Sequence, residues 1–201
     1  MKKLLSSGLA AMGLLAGCTQ SEATAQGAGE TTPAKTAVVY FSWSPDGNTR
    51  FAAGAIAKKT GADLFEIKAE TPYSSDFKTC CDEAQPECYG KTLRPILPVE
   101  GLDLAKYDVV LVGTPNWWGT MAPPVRTFVA QNLEAFKGKR AAIFATHGGG
   151  GMQRIGKEFE ELVGGTADVL PPGAFPGASI KNSVSAIEAF AKERTSNETS
   201  K

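Results

Sequence analysis

Three short segments hold the residues best suited to chemistry. The first, Ser42-Trp43-Ser44-Pro45-Asp46-Gly47-Asn48-Thr49, offers hydroxyls, an amide and a glycine ahead of a helical stretch. Backbone N–H groups at a helix start, together with the positive end of the helix dipole, suit a phosphate. No lysine follows the glycine and GxGxxG is absent, so this is neither a nucleotide-triphosphate loop nor a dinucleotide fingerprint. The second segment, Gly113-Thr114-Pro115-Asn116-Trp117-Trp118-Gly119-Thr120-Met121, carries two adjacent tryptophans, which are costly to expose in a connector. Neighbouring side chains diverge, so one ring is expected to pack beneath the loop and the other to face a planar ligand. The third, Thr146-His147-Gly148-Gly149-Gly150-Gly151, has four glycines that let the backbone approach a ligand closely. His147 is the only histidine, and no cysteine or carboxylate cluster with metal-ligand spacing surrounds it, so no metal site is expected. At a ligand rim its charge would couple the site to pH near neutrality. A solvent-facing loop histidine is the plainer alternative.

These segments need a frame that brings them together. Ala37–Ser42 is a short apolar run of β-branched and aromatic residues, as in a strand buried on both faces. Asn48–Lys59 reads as a helix with Asn48 as N-cap and Gly61 as its stop. Strands are expected at Asp63–Ile67, Asp108–Val112, Arg140–Thr146 and Thr166–Leu170, and helices at Pro123–Phe136, Met152–Val163 and Ser183–Lys192. Strands separated by helices imply right-handed βαβ units and a parallel sheet covered on both faces. A five-stranded doubly wound α/β sheet of order 2-1-3-4-5 follows, with ligands beyond the carboxyl ends of the strands at the switch point. The three segments fall there, after strands one, three and four.

Together they resemble the flavodoxin family, over residues 37–192. The family's phosphate loop, Ser/Thr-x-Ser/Thr-Gly-Asn-Thr, is matched by Ser42, Ser44, Gly47, Asn48 and Thr49, with Pro45-Asp46 inserted before the glycine. Pro115-Asn116-Trp117-Trp118-Gly119 and Thr146-His147-Gly148-Gly149 look like segments of the longer, glycine-rich flavodoxin-like proteins. The resemblance implies FMN as cofactor, its ring held between the second and third segments, with Trp43 and His147 as further neighbours. It implies an electron-transfer protein serving redox partner proteins. Two alternatives stay open: an FMN-dependent oxidoreductase passing electrons to a quinone-like acceptor, and a binding module that has lost FMN.

The chain ends read differently. Lys2 and Lys3, an apolar stretch from Leu4 to Ala16, and Leu15-Ala16-Gly17-Cys18 have the layout of a signal peptide ending in a lipoprotein box. Residues 1–17 would be removed and Cys18 lipidated, anchoring the protein to a membrane surface outside the cytoplasm rather than spanning it. Residues 18–36 have linker composition, and 193–201 form a polar tail. The 21 basic and 21 acidic residues give a formal net charge of zero; without the two leader lysines the chain is mildly acidic. That balance gives no support to nucleic-acid binding, for which a basic excess is the norm. A long connection, residues 68–107, includes a helical stretch near Ser75–Gln85 followed by Pro86, and holds Cys80, Cys81 and Cys88. In an exported protein a bridge Cys81–Cys88 or Cys80–Cys88 is expected to staple the helix end to the following loop. A dithiol exchanging electrons with the cofactor is the functional alternative.

Overall fold

The computed structural model describes residues 34–44 and 46–196. The leader, Cys18 and nearly all of the linker lie outside the described residues, as does the tail beyond 196. Strands of two to nine residues, alternating with helices, form a seven-stranded sheet. In chain order the elements are β1 (Thr36–Tyr40), α1 (Asn48–Thr60), β2 (Asp63–Glu66), α2 (Phe77–Gly90), β3 (Val109–Trp117) and β4 (Thr120–Met121). They continue with α3 (Pro123–Gln131), β5 (Arg140–His147), α4 (Ile155–Val163), β6 (Asp168–Val169), β7 (Gly173–Pro176) and α5 (Val184–Thr195). The parallel order β2-β1-β3-β5-β6 is the expected 2-1-3-4-5 arrangement. The fifth position is split, because β7 also pairs with β5 in parallel after the Pro171-Pro172 interruption. Neither proline has an N–H to donate to the ladder.

Period-two alternation sends the central strands' side chains to two separate cores. Val39, Val112 and Ile143 pack with Phe128 of α3, Phe159 of α4 and the buried side of α2. Val38, Leu111 and Phe144 pack with Ile56 of α1 and Ile187 and Phe190 of α5. Gly113 of β3 is required by this packing: a Cβ there would stand 2.4 Å from Phe144 Cζ and 2.9 Å from Tyr40 Cβ.

Three local expectations are corrected. The third strand runs past Val112 to Trp117, because β4 turns back on it as a hairpin, Asn116 opposite Met121 and Trp117 opposite Thr120. Trp118 (φ 53°) and Gly119 (φ 80°) form its two-residue turn, and both need the positive φ of a type I′ connection. Secondly, α2 does not end before Pro86 but runs through it to Gly90. Asp76 caps that helix, its side chain accepting from Thr79 N at 2.8 Å. Thirdly, the expected disulfides do not form: Cys80, Cys81 and Cys88 are free thiols. All three lie on one continuous helix, where a rise of about 1.5 Å per residue separates positions 81 and 88, or 80 and 88, by about 10–12 Å. A bridge needs Cα atoms within about 7 Å. Cys80 and Cys88 instead serve as core residues with Ala84 between them, on the face repeating every four positions.

Candidate cofactor site

A cavity of about 350 Å³ opens at the carboxyl ends of β1, β3 and β5. That lies within the range of small-molecule sites. Trp43, Ser44 and Asn48 line it from the first segment, Pro115, Asn116, Trp117 and Trp118 from the second, and Thr146, His147 and Gly148 from the third. The segments read as chemically promising therefore converge. Ser42, Gly47, Thr49, Gly119 and Gly149 shape the loops behind this lining.

The first loop is held by its own backbone. Gly47 N donates to Ser44 O at 2.8 Å, and Asn48 N donates to Ser44 Oγ at 3.1 Å. The residue capping α1 is thus Gly47 in a left-handed conformation (φ 63°), not Asn48 as expected. Asn48 begins the helix, and its amide is free to face the cavity. Thr49 Oγ1 and Thr146 Oγ1 share a buried hydrogen bond of 2.7 Å, which ties the first loop to the third. Ser42 Oγ is buried without a hydrogen-bond partner. Ser42 stands behind the cavity lining in the loop that leads into α1; its free hydroxyl, with the Ser44 and Asn48 side chains that do line the cavity, makes a donor set that fits an anion with several acceptor oxygens.

The two tryptophans have different surroundings. Trp117 packs edge-on against Tyr73 (4.8 Å between centroids), Phe41 (5.7 Å) and Trp43 (6.3 Å). Trp43 is fixed by Nε1 donating to Ser74 O at 2.9 Å. Trp118 projects from the hairpin turn, 41 % exposed, with its ring 5.8 Å from Tyr89. Asn116 joins hairpin to glycine loop, donating through Nδ2 to Gly151 O (2.7 Å) and accepting from Gly119 N at Oδ1 (3.0 Å). Arg154 N adds a bond to Gly119 O at 3.1 Å. Gly119 takes a left-handed φ of 80°, a conformation that favours glycine at this turn. His147 lines the cavity rather than facing solvent alone, and its Nδ1 accepts from Gly149 N at 3.0 Å.

The sequence profile of the flavodoxin family matches residues 35–185. The chain belongs to the flavodoxin family. Among solved structures it is similar to a flavoprotein of Lactobacillus acidophilus NCFM determined in complex with FMN. That likeness has 26 % identity and a TM-score of 0.60, over 76 % of this chain and 99 % of the other. It is also similar to a protein of Bacteroides eggerthii DSM 20697 (24 % identity, TM-score 0.65, 82 % of this chain and 99 % of the other). A protein of Bacteroides uniformis ATCC 8492 gives 24 % identity and a TM-score of 0.63, over 80 % of this chain and 99 % of the other. The two Bacteroides likenesses bear on the fold alone.

Two further walls of this flavodoxin-family site lie outside the three segments, and of their residues the sequence pointed only to Cys80 and Cys81, as the alternative of a dithiol facing the cofactor. Phe77, Cys80, Cys81 and Ala84 of α2 close one side, and Gly177 and Ala178, after β7, close another. The helical spacing of the first group was a readable signal, had α2 been placed over the switch point. Gly177 offered none: its role is to leave room for Asn48, whose Nδ2 would stand 2.6 Å from a Cβ there.

Burial sets the thiol chemistry of α2. It pushes the Cys80 thiol up to about 12, with the Cys81 and Glu83 charges adding, and it pushes Cys88 up to about 12 as well. Below the ordinary thiol value of 9.0 both states hold the proton and no stability is lost. Above it the unfolded chain ionises first, so stability falls as pH rises towards the folded values. The urea midpoint is therefore expected to drop between about pH 9 and pH 11, at up to about 1.4 kcal/mol per pH unit per thiol. A Cys80→Ala, Cys88→Ala variant should show a shallower drop over the same range.

Proposed function

We propose that this chain binds FMN in the cavity and works as an electron-transfer protein, tethered to a membrane surface through a lipidated Cys18. The observation carrying the FMN reading is the buried, unpartnered Ser42 Oγ in a loop that leads into a helix N-terminus at the switch point. The FMN complex of the Lactobacillus acidophilus flavoprotein supports the same ligand here. The Ser42, Ser44 and Asn48 side chains hold the phosphate, while Gly47 and Thr49 fix the loop that carries them. Bound FMN supplies one- or two-electron redox chemistry in its ring. Trp118 presents its face to that ring. Trp117 and Trp43 keep water from the inner side, and the low-polarity surround disfavours the more electron-rich reduced form. Gly148 and Gly149 let backbone approach the ring edge, with His147 beside them.

Carrier and reductase readings separate in one assay. FMN-loaded protein mixed with NAD(P)H and a quinone is expected to consume no NAD(P)H until a separate flavin reductase is added. Steady consumption by the protein alone contradicts the carrier reading and supports substrate turnover. The tether is tested in cells: the wild type is expected in the membrane fraction, and Cys18→Ser in the soluble one. Equal partition of the two overturns the anchor.

A further inference from the structure

Electron transfer as proposed leaves one surface beside the cavity mouth without a role. Trp118 stands at that mouth, and its ring lies 5.8 Å from Tyr89 of α2, which is 60 % exposed. Tyr89 in turn borders a hollow of about 260 Å³ with Lys91, Arg154 and Lys157, all exposed. Arg154 Nη2 donates to Trp118 O at 3.2 Å, which sets the guanidinium against the hairpin turn. Two carboxylates also line the hollow. Glu158 is buried and engaged with Arg126, Thr120 and Met121 N. Glu161 lies 3.8 Å from Lys157 in an exposed pair, which neutralises little. The neighbouring carboxylates of α2 are engaged too: Asp82 with Lys78 at 2.6 Å, Glu83 with Ser74 N at 3.2 Å, and Glu87 with Arg94 at 2.7 Å. Among the described residues, Lys91 and Arg154 have no carboxylate within ion-pair distance. The backbone is strained at the same corner. Trp118 (φ 53°), Lys91 (φ 53°) and Gln153 (φ 44°) are the non-glycine residues with positive φ among those described, and Gln153 packs on Gly119 of the hairpin turn. Such conformations are costly and gather at sites that bind.

We propose that Trp118, Tyr89, Lys91, Arg154 and Lys157 form the docking surface for an acidic protein that exchanges electrons with the cofactor. The proposal rests on the reading of the cavity as a flavin site. Tryptophan, tyrosine and arginine are the side chains that carry most of the energy at protein interfaces, and here all three stand exposed together. The two rings supply the centre of the contact, and the cations beside them complement a negative face. A small anion would need the hollow alone. The exposed rings continue the cations out to the cavity mouth, a reach that suits a protein face instead. With 21 basic and 21 acidic residues the chain has no overall excess to steer a partner, so the attraction arises from this local one. Docking there brings the partner against Trp118, at the edge of the cavity. In the transfer one electron leaves the reduced flavin and enters the partner's oxidised centre, and no bond forms or breaks.

The test uses the full chain with Cys18→Ser, so that no lipid anchor intervenes, and plastocyanin, an acidic copper protein, as the probe. FMN-loaded protein reduced with stoichiometric dithionite is expected to pass one electron to plastocyanin, Cu(II) becoming Cu(I). The rate should fall about tenfold between about 0.01 M and about 1 M ionic strength, as the screening length shrinks from about 30 Å to about 3 Å. Lys91→Glu with Lys157→Glu is expected to lower the low-salt rate about tenfold and to leave FMN affinity unchanged. Lys58→Glu with Lys137→Glu makes the same change in net charge at the opposite, amino-terminal edge of the sheet, and should lower it by less than about twofold. Equal losses in the two double variants, no loss in the first, or a rate indifferent to salt overturns the surface. Calorimetric titration of the FMN-free protein with plastocyanin reads the surface without the cofactor: binding is expected, weakened by the first pair of substitutions only. Absence of that binding, or equal binding by the first double variant, also overturns the surface. Failure of the protein to bind FMN is a different result: it overturns the flavin reading, while the calorimetric arm still judges the docking surface.

Discussion

Replacing Arg126 by Met is expected to lower the free energy of unfolding by about 3–5 kcal/mol, the cost of leaving a buried charge without its partner. Arg126 is 5 % exposed and Glu158 is 9 % exposed. Arg126 Nη2 lies 3.7 Å from Glu158 Oε2 and donates to Thr120 Oγ1 at 2.7 Å. Thr120 Oγ1 in turn donates to Glu158, and Met121 N donates to the same carboxylate oxygen at 3.2 Å. The pair thus supports β4, and β4 sets the turn that displays Trp118. With Met at 126 the carboxylate keeps its desolvation and loses its counter-charge. Adding Glu158→Gln removes the charge while keeping an acceptor for Thr120 and Met121, so the double variant should regain part of the loss. Urea unfolding measures all three proteins. A double variant less stable than Arg126→Met would show that the ion pair is not what the network depends on.

The adjacent tryptophans should separate stability from binding. Trp117→Ala removes a half-buried ring that touches Phe41, Trp43 and Tyr73. Its expected cost is about 3 kcal/mol of stability, the low end for loss of a large buried aromatic. Trp118→Ala removes a ring that is 41 % exposed and packs mainly beside Tyr89. Its stability should change by less than about 0.5 kcal/mol, as for most surface substitutions. Its FMN affinity should fall about tenfold, since aromatic stacking contributes about 0.5–1.5 kcal/mol beyond area burial. Unfolding curves and FMN titrations on both variants decide the matter. Full FMN affinity in Trp118→Ala would mean that its face does not meet the ring.

Much of this was legible in the sequence, for identifiable reasons. The β1, β3 and β5 runs are apolar on both faces, a pattern that only a sheet covered on both sides sustains. The loops after those strands carry the polar, aromatic and glycine residues that converge on the cavity. What stayed hidden depends on contacts between distant segments. Pro86 reads as a helix stop, but its missing N–H removes only one bond from a helix whose other side is anchored by Cys80, Ala84 and Cys88 in the core. That anchoring carries α2 on to Gly90 and puts the thiols out of bridging distance. Asn48 reads as a cap by type, and it lost that place to Gly47, whose left-handed φ no spacing rule foresees. The tryptophan hairpin was hidden because Trp118 itself takes a positive φ, a conformation rare for a bulky residue.

The proposed function depends on FMN occupying this cavity with its phosphate at the loop that begins at Ser42. Its most direct test is a titration of the protein with FMN and, separately, with riboflavin, which lacks the phosphate, each followed by flavin fluorescence and the visible spectrum. Saturable one-to-one binding of FMN is predicted, at least tenfold tighter than riboflavin, with the gap narrowed in Ser42→Ala. A protein that stays colourless in excess FMN, or that binds riboflavin as tightly as FMN, would contradict it.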